Sequence, residues 1–267
     1  MSDTGFDEKL YYLRFSVLHR IFHVIVMVSF TGLALTGLPI KYSSHKWAQL
    51  LITLFGGVKN AASFHRFFAL ITFSYVIFHL LWLCYYKIVL KGKCVGPHSM
   101  TPTKKDFQDL YRNIKYFLGK GSRPKFERFT YWEKFDYMAV FWGVGVIGLS
   151  GLILWFPELF TKVLPGWLIN VATIIHSDEA LLAVGFIFTI HFFNTHLRPE
   201  SFPMDTVIFT GLVPLDEYKE DRPDEYKYLK ESGRLKKMVV LTELPPKKML
   251  AVRIFGYIFL LMGITLI

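Results

Sequence analysis

Cysteine is nearly missing from this chain. There are two, Cys84 and Cys94, and they form neither a C-x-x-C pair nor a C-x-x-C-H run. Covalent c-type haem attachment and cysteine-held iron–sulfur clusters therefore find no support here, and centres of that kind belong on partners. Acidic residues are scarce wherever the chain is apolar. Asp178 and Glu179 stand at the end of one hydrophobic run and Asp136 at the end of another, which leaves a proton-relay transporter without carboxylates inside a span. No solenoid-type repeat and no low-complexity tract occurs. The first fifteen residues are polar, so no cleavable leader is expected and the first apolar run serves as its own insertion signal.

What the chain does have is hydrophobic length. Of its 267 residues, 52% are hydrophobic and 17% aromatic. A helix crosses a hydrocarbon core with about 20 apolar residues, and five stretches suffice or nearly so: roughly Val17–Pro39, Phe64–Leu90, Asp136–Phe156, Ser177–Leu197 and Met249–Ile267. The expected fold is an all-α integral membrane protein, a four-helix transmembrane bundle with a fifth, C-terminal helix. Its expected division is a core over 1–205, a polar connection over 206–248 and the last span over 249–267.

The net charge of +10 is unevenly placed, with twelve Lys/Arg in residues 86–135 and ten in 197–248. Cationic loops stay on the cytoplasmic side, so the N-terminus is expected in the cytoplasm and the C-terminus in the periplasm of a bacterial inner membrane. Topology and anionic lipid account for the charge, and no nucleic-acid partner is expected. Within the first basic loop, Lys104–Leu118 sets Phe107, Leu110, Tyr111, Ile114, Phe117 and Leu118 on one helical face, the pattern of a helix lying on the membrane surface. The polar run 206–248 reads as a cytoplasmic cap or docking loop.

Histidines stand inside these apolar stretches, where ionisable side chains are rare and point to function. His65 and His79 are fourteen residues apart in one run, His176 and His191 fifteen apart in another, and His19 and His23 share a third. At about 1.5 Å and 100° per residue, each of the first two pairs spans roughly 21–22 Å of helix, with angular offsets near 40° and 60°. The topology puts His65 and His176 together near the outer surface. His23, His79 and His191 then lie near the inner one. Four imidazoles at two depths suit two stacked haems, and bis-histidine ligation favours electron transfer over oxygen chemistry. His45 and His98, in loops, read as ordinary surface histidines.

The segments Arg20–Gly37 (RIFHVIVMVSFTGLALTG), His65–Leu70 (HRFFAL), Gly148–Pro157 (GLSGLILWFP) and Ile175–His191 (IHSDEALLAVGFIFTIH) resemble the di-haem cytochrome b subunits of respiratory formate dehydrogenases and nickel–iron hydrogenases. The stretch His191–Asp205 is similar to relatives that work with multihaem c-type cytochromes. The resemblance covers residues 14–205. It implies two b-type haems ligated by His23, His65, His176 and His191, with no catalytic residue in this chain. His79 is the alternative inner ligand, because the fourteen-and-fifteen spacing is similar to cytochrome b of the quinol–cytochrome c oxidoreductases. The helix-four spacing is one residue longer than is usual in the first family. A third haem on the leftover histidines is a further option.

The resemblance also implies a menaquinone or ubiquinone site near the inner haem, where His19, Asn194, His196 and Arg198 are candidates. The periplasmic redox partner it implies is a multihaem cytochrome c, an iron–sulfur protein, or a molybdenum or nickel–iron enzyme. Arg20 and Arg66, each beside a candidate ligand, are set to pair with haem propionates or to snorkel. Gly32, Gly37, Gly143, Gly148 and Gly151 leave room for a macrocycle or for close helix packing. A rival reading is a membrane di-iron desaturase or hydroxylase, built on the H-x-x-x-H pair His19/His23 and the H-x-x-x-x-H pair His191/His196.

Overall fold

The computed structural model describes residues 9–199, 201–242 and 244–267. The expectation that no leader precedes the first span falls partly on residues 1–8, outside the described part. In chain order the elements are β1 (Lys9–Leu13), α1 (Val17–Lys41), α2 (Lys46–Leu54), α3 (Val58–Ile88), α4 (Lys104–Phe117), α5 (Tyr131–Trp155), α6 (Pro157–Phe160) and α7 (Leu168–Phe186). Two π-helical turns, Ile187–His191 and Phe193–Leu197, prolong α7. Then come α8 (Val207–Thr210), β2 (Leu212–Pro214), α9 (Leu215–Asp221), α10 (Pro223–Glu231), α11 (Leu235–Met238), β3 (Val239–Thr242) and α12 (Pro246–Thr265).

Five helices are long and apolar enough to cross a membrane: α1, α3, α5, α7 with its π-helical continuation, and α12. The fold is all-α and multi-pass, four spans plus one. The fourth span starts at Leu168, earlier than the hydropathy alone suggests, because Asn170 and Thr173 interrupt an otherwise apolar run. His176 thus sits well inside a helix.

The chain divides into two compact units. One comprises residues 22–89, 138–204 and 256–267 and holds most of the length of the spanning helices. Its core is Ala34, Leu38, Val184, Phe188, Phe192 and Leu260, contributed by α1, by α7 with its continuation and by α12. A Cβ at Gly263 would stand 2.5 Å from the Phe192 ring and 2.6 Å from that of Phe188. The fifth helix therefore packs on its own bundle through a bare backbone. Elsewhere the spanning helices expose Leu, Ile and Phe, as helices solvated by lipid do.

The second unit comprises residues 1–21, 90–137 and 205–255. The polar run expected as a connection is largely folded in it. Strand β1 lies between β2 and β3, antiparallel to both, with Tyr12 opposite Val213 and Val239. Tyr12 stacks on Tyr218 at 4.0 Å between ring centres, and Val213 and Leu229 complete a small core. Glu133, in the first turn of α5, receives Arg14 at 2.6 Å and Arg222 at 3.2 Å. It also accepts the Thr130 backbone N–H at 2.7 Å and the Thr130 hydroxyl at 2.8 Å. One carboxylate thereby ties β1, α5 and the segment before α10. Helix α4 is fixed in the same manner: Asp106 accepts the Thr103 N–H at 2.6 Å and Lys134 Nζ at 2.9 Å.

Candidate metal centres

His65 on α3 and His176 on α7 face each other with ring centres 6.1 Å apart and planes crossed at 78°. Each ring is held by one nitrogen. His176 Nδ1 lies 2.9 Å from the backbone carbonyl of Ile147. A carbonyl only accepts, so the hydrogen is on Nδ1. His65 Nδ1 lies 3.0 Å from Thr36 Oγ1. The Thr36 hydroxyl donates to the Gly32 carbonyl at 2.7 Å, so its oxygen accepts from His65. Both imidazoles therefore keep Nδ1 protonated and Nε2 bare, the state that binds a metal, with the orienting partner a ligating histidine needs.

Glycines make room for these rings. A Cβ at Gly37 on α1 would meet His65 Cε1 at 3.0 Å, and one at Gly151 on α5 would meet His176 Cε1 at 2.9 Å. Gly32 and Gly148 instead admit the Phe68 and Phe73 rings, at 2.5 and 2.8 Å, while Gly143 has only Ile147 Cδ1 at 3.9 Å. Lys41 at the end of α1 reaches Asp178 at 2.8 Å and the Ser177 hydroxyl at 2.9 Å, which fixes α1 against α7 beside His176.

A second pair is formed by His23 on α1 and His191, with ring centres 6.5 Å apart and planes tilted by 32°. His196 is close enough to interact electrostatically with both. His23 Nδ1 is buried with no hydrogen-bond partner among the described residues, a situation that costs on the order of 1–3 kcal/mol unless something else satisfies it. His79 lies elsewhere, with its ring 6.2 Å from that of Phe22 and 5.8 Å from that of Phe141.

His191 reaches His23 through the π-helical turn Ile187–His191. Fifteen α-helical residues would overshoot whole turns by about 60°. A π turn closes i→i+5, roughly one residue more per turn than an α turn. The surplus residue in the His176–His191 interval is absorbed there.

The other candidates are placed as follows. Arg20 Nη1 donates to the carbonyls of Phe209 and Thr210 at 2.9 and 3.0 Å, so that nitrogen closes the end of α8. The Arg66 guanidinium lies over Trp155, 5.6 Å from the ring centre. His19 Nδ1 is 2.7 Å from Ser16 Oγ. Asn194 and His196 lie on the π-helical turn Phe193–Leu197, which Arg198 ends. His45 packs between Tyr42 and Trp47, and His98 binds Glu225 at 2.7 Å. Among the described residues no three His, Cys, Asp or Glu side chains converge as a metal site, so nothing in the geometry favours the di-iron reading.

The donor chemistry fits a metal held between two imidazoles. With metal–nitrogen bonds of about 2 Å on opposite sides, and the ring radii added, the ring centres fall roughly 6 Å apart. Both pairs meet that spacing, at 6.1 and 6.5 Å. The supports that composition did not single out are Thr36 and the Ile147 carbonyl. Their signal was a hydroxyl residue directly before a glycine on each of two helices, Thr36–Gly37 and Ser150–Gly151.

An integral membrane bundle that brings histidines together in pairs is the class these observations define. Residues 14–196 match the prokaryotic cytochrome b561 family. The chain belongs to that family and is a membrane-embedded cytochrome b of electron transfer. A comparison with curated proteins finds no match.

Proposed function

We propose that this chain is the membrane-anchor subunit of a quinone-linked oxidoreductase and carries two b-type haems. His65 and His176 hold one, and His23 and His191 hold the other. The bound haems supply one-electron exchange; the protein supplies ligands, orientation and a dry path. Bis-histidine ligation at each level leaves no open coordination position, which suits electron transfer.

One observation carries the reading above all. The His65–His176 pair has both Nδ1 hydrogens committed to Thr36 and Ile147, and its ring centres are 6.1 Å apart. About 22 Å of helix separates His176 from His191 at the rise of an α-helix, so the two pairs divide a bilayer thickness between them. The distribution of Lys and Arg supports a cytoplasmic N-terminus. On that orientation the first pair faces a periplasmic redox protein of iron–sulfur, multihaem, molybdenum or nickel–iron type. The second pair faces a quinone, menaquinone or ubiquinone, near the cytoplasmic surface, with Asn194, His196 and Arg198 as its polar contacts.

The test is haem quantitation on the purified full chain by pyridine haemochrome, for wild type and for His65→Ala/His176→Ala. Wild type is expected to hold two non-covalent haems per chain, and the double variant one. An unaltered pigment and spectrum in the double variant would overturn the proposal.

A further inference from the structure

Helix α4 is amphipathic the wrong way round for a soluble loop. Its buried residues are polar: Asp106, Asp109 and Asn113. Each has a partner inside the protein: Asp106 takes Lys134, Asp109 Oδ2 takes Lys105 at 2.6 Å, and Asn113 donates to the Tyr131 hydroxyl at 3.0 Å. Its apolar side chains face outward. Phe107 is 71% exposed and Phe117 76%, and Leu110, Tyr111, Ile114 and Leu118 are exposed beside them. A contiguous apolar sector of that kind marks an interaction surface.

A cationic cleft adjoins it. A cavity of about 390 Å³ is lined by Arg112, Lys115, Arg123 and Lys125, with Asp224 the acidic member. Arg123 is paired with Asp221 at 3.0 Å, and Arg112 stands 4.0 Å from Asp109. Neither Lys115 nor Lys125 has an ion pair among the described residues, and the Lys115 ammonium lies over the exposed Tyr111 ring at 4.8 Å. Positive charge thus reaches the border of the apolar sector. A surface with acyl chains below and phosphate at that border complements both features. Position in the chain argues for the same occupant, because α4 lies in the connection between two spanning helices, α3 and α5.

We propose that α4 lies in the bilayer surface, with its apolar sector among the acyl chains, and that the cleft of Arg112, Lys115, Arg123 and Lys125 takes the phosphate of an anionic phospholipid. This stands independently of which histidines bind haem.

The full chain, in a Cys84→Ser/Cys94→Ser background, is spin-labelled at Phe117→Cys or Gln108→Cys and placed in nanodiscs. The nanodiscs are of phosphatidylcholine alone or of an equal mixture with phosphatidylglycerol. Both labelled side chains are exposed, so neither substitution disturbs the helix. The Phe117 label is expected to relax with oxygen and to be shielded from a water-soluble nickel chelate, the Gln108 label the reverse. Native mass spectrometry is expected to find phosphatidylglycerol retained over phosphatidylcholine. Neutralising Arg112, Lys115, Arg123 and Lys125 to Gln is expected to cut that retention by roughly five-fold for each charge removed. Equal chelate access at the two labels overturns the seating of α4. Indifference to headgroup, or retention unchanged by the Gln variants, overturns the cleft. Displacement of the lipid by inorganic phosphate would assign the cleft to a soluble anion and overturn the lipid assignment.

Discussion

The Nδ1 hydrogen of His176 is given, over 2.9 Å, to the backbone carbonyl of Ile147 on the neighbouring helix. That bond fixes the tautomer and aims the other ring nitrogen. It depends on α5 and α7 being close, and they are close because Gly151 has no side chain: a Cβ there would stand 2.9 Å from His176 Cε1. Gly151→Ala is therefore expected to push the ring off its carbonyl, with an overpacking cost of about 1–3 kcal/mol. On the proposed ligation, the purified protein should lose haem from the His65–His176 pair and keep the other. Gly37→Ala, with 3.0 Å to His65 Cε1, should do the same more mildly. Haem content and thermal melting of the two variants check this; a fully loaded Gly151→Ala protein of wild-type stability would contradict it.

Thr36 plays for His65 the part that a carbonyl plays for His176. Its oxygen accepts at 3.0 Å, and its own hydrogen is spent on Gly32. Thr36→Val keeps the volume and removes the acceptor. Loss of an orienting partner typically weakens a metal site 10–100-fold, roughly the change expected in haem retention when apomyoglobin is added as a competing acceptor. Thr36→Ser should restore it. Equal loss in the Ser and Val variants would point to packing instead of the hydrogen bond.

Outside the spans, Asp106 couples α4 to the start of α5. Burial alone would raise its carboxyl, but Lys134 and Thr103 outweigh burial and hold it below its ordinary 3.8. A depressed carboxylate contributes stability that is fully present above the unfolded value and is lost as pH falls through the folded one. The docking of α4 should thus be insensitive to pH from neutrality down to about that value and should fail below it. Hydrogen exchange of the α4 amides during an acid titration measures this. Asp106→Asn should exchange faster at neutral pH and show no further acid step.

The spanning helices were legible in the sequence because an apolar run of that length has few other uses. The pairing of His65 with His176, 6.1 Å between ring centres, was legible too, since the expected topology put both at one depth. The second pair was not resolved by spacing, because the expected topology put His79 and His23 at the same level and only packing separates them: Phe22 and Phe141 lie beside His79. The folded unit built from 90–137 and 205–255 was hidden for another reason. Its strands are three to five residues long, and β1 pairs with partners some two hundred residues away, so no local periodicity announces it. Partly buried ion pairs such as Glu133 with Arg14 and Arg222 read, in a sequence, as ordinary surface charge.

The π-helical turn Ile187–His191 supplies the last prediction. The interval from His176 to His191 contains one residue more than an α-helix needs to present both rings to the bundle, and a π turn stores that residue. Removing Thr189 should therefore let the turn relax to an α-helix with a fourteen-residue interval. Its side chain is exposed and only donates to the Gly185 carbonyl of its own helix. At about 100° per residue such an interval falls some 40° short of whole turns, the same offset as between His65 and His79 on α3. The deletion variant should keep its full pigment. Inserting an alanine after Thr189 adds a second surplus residue, which rotates His191 about 100° further and, on the proposed ligation, should abolish the haem assigned to His23 and His191. Haem quantitation on the two variants decides the matter: one haem in the deletion beside two in the insertion would show that the π turn does something other than hold register.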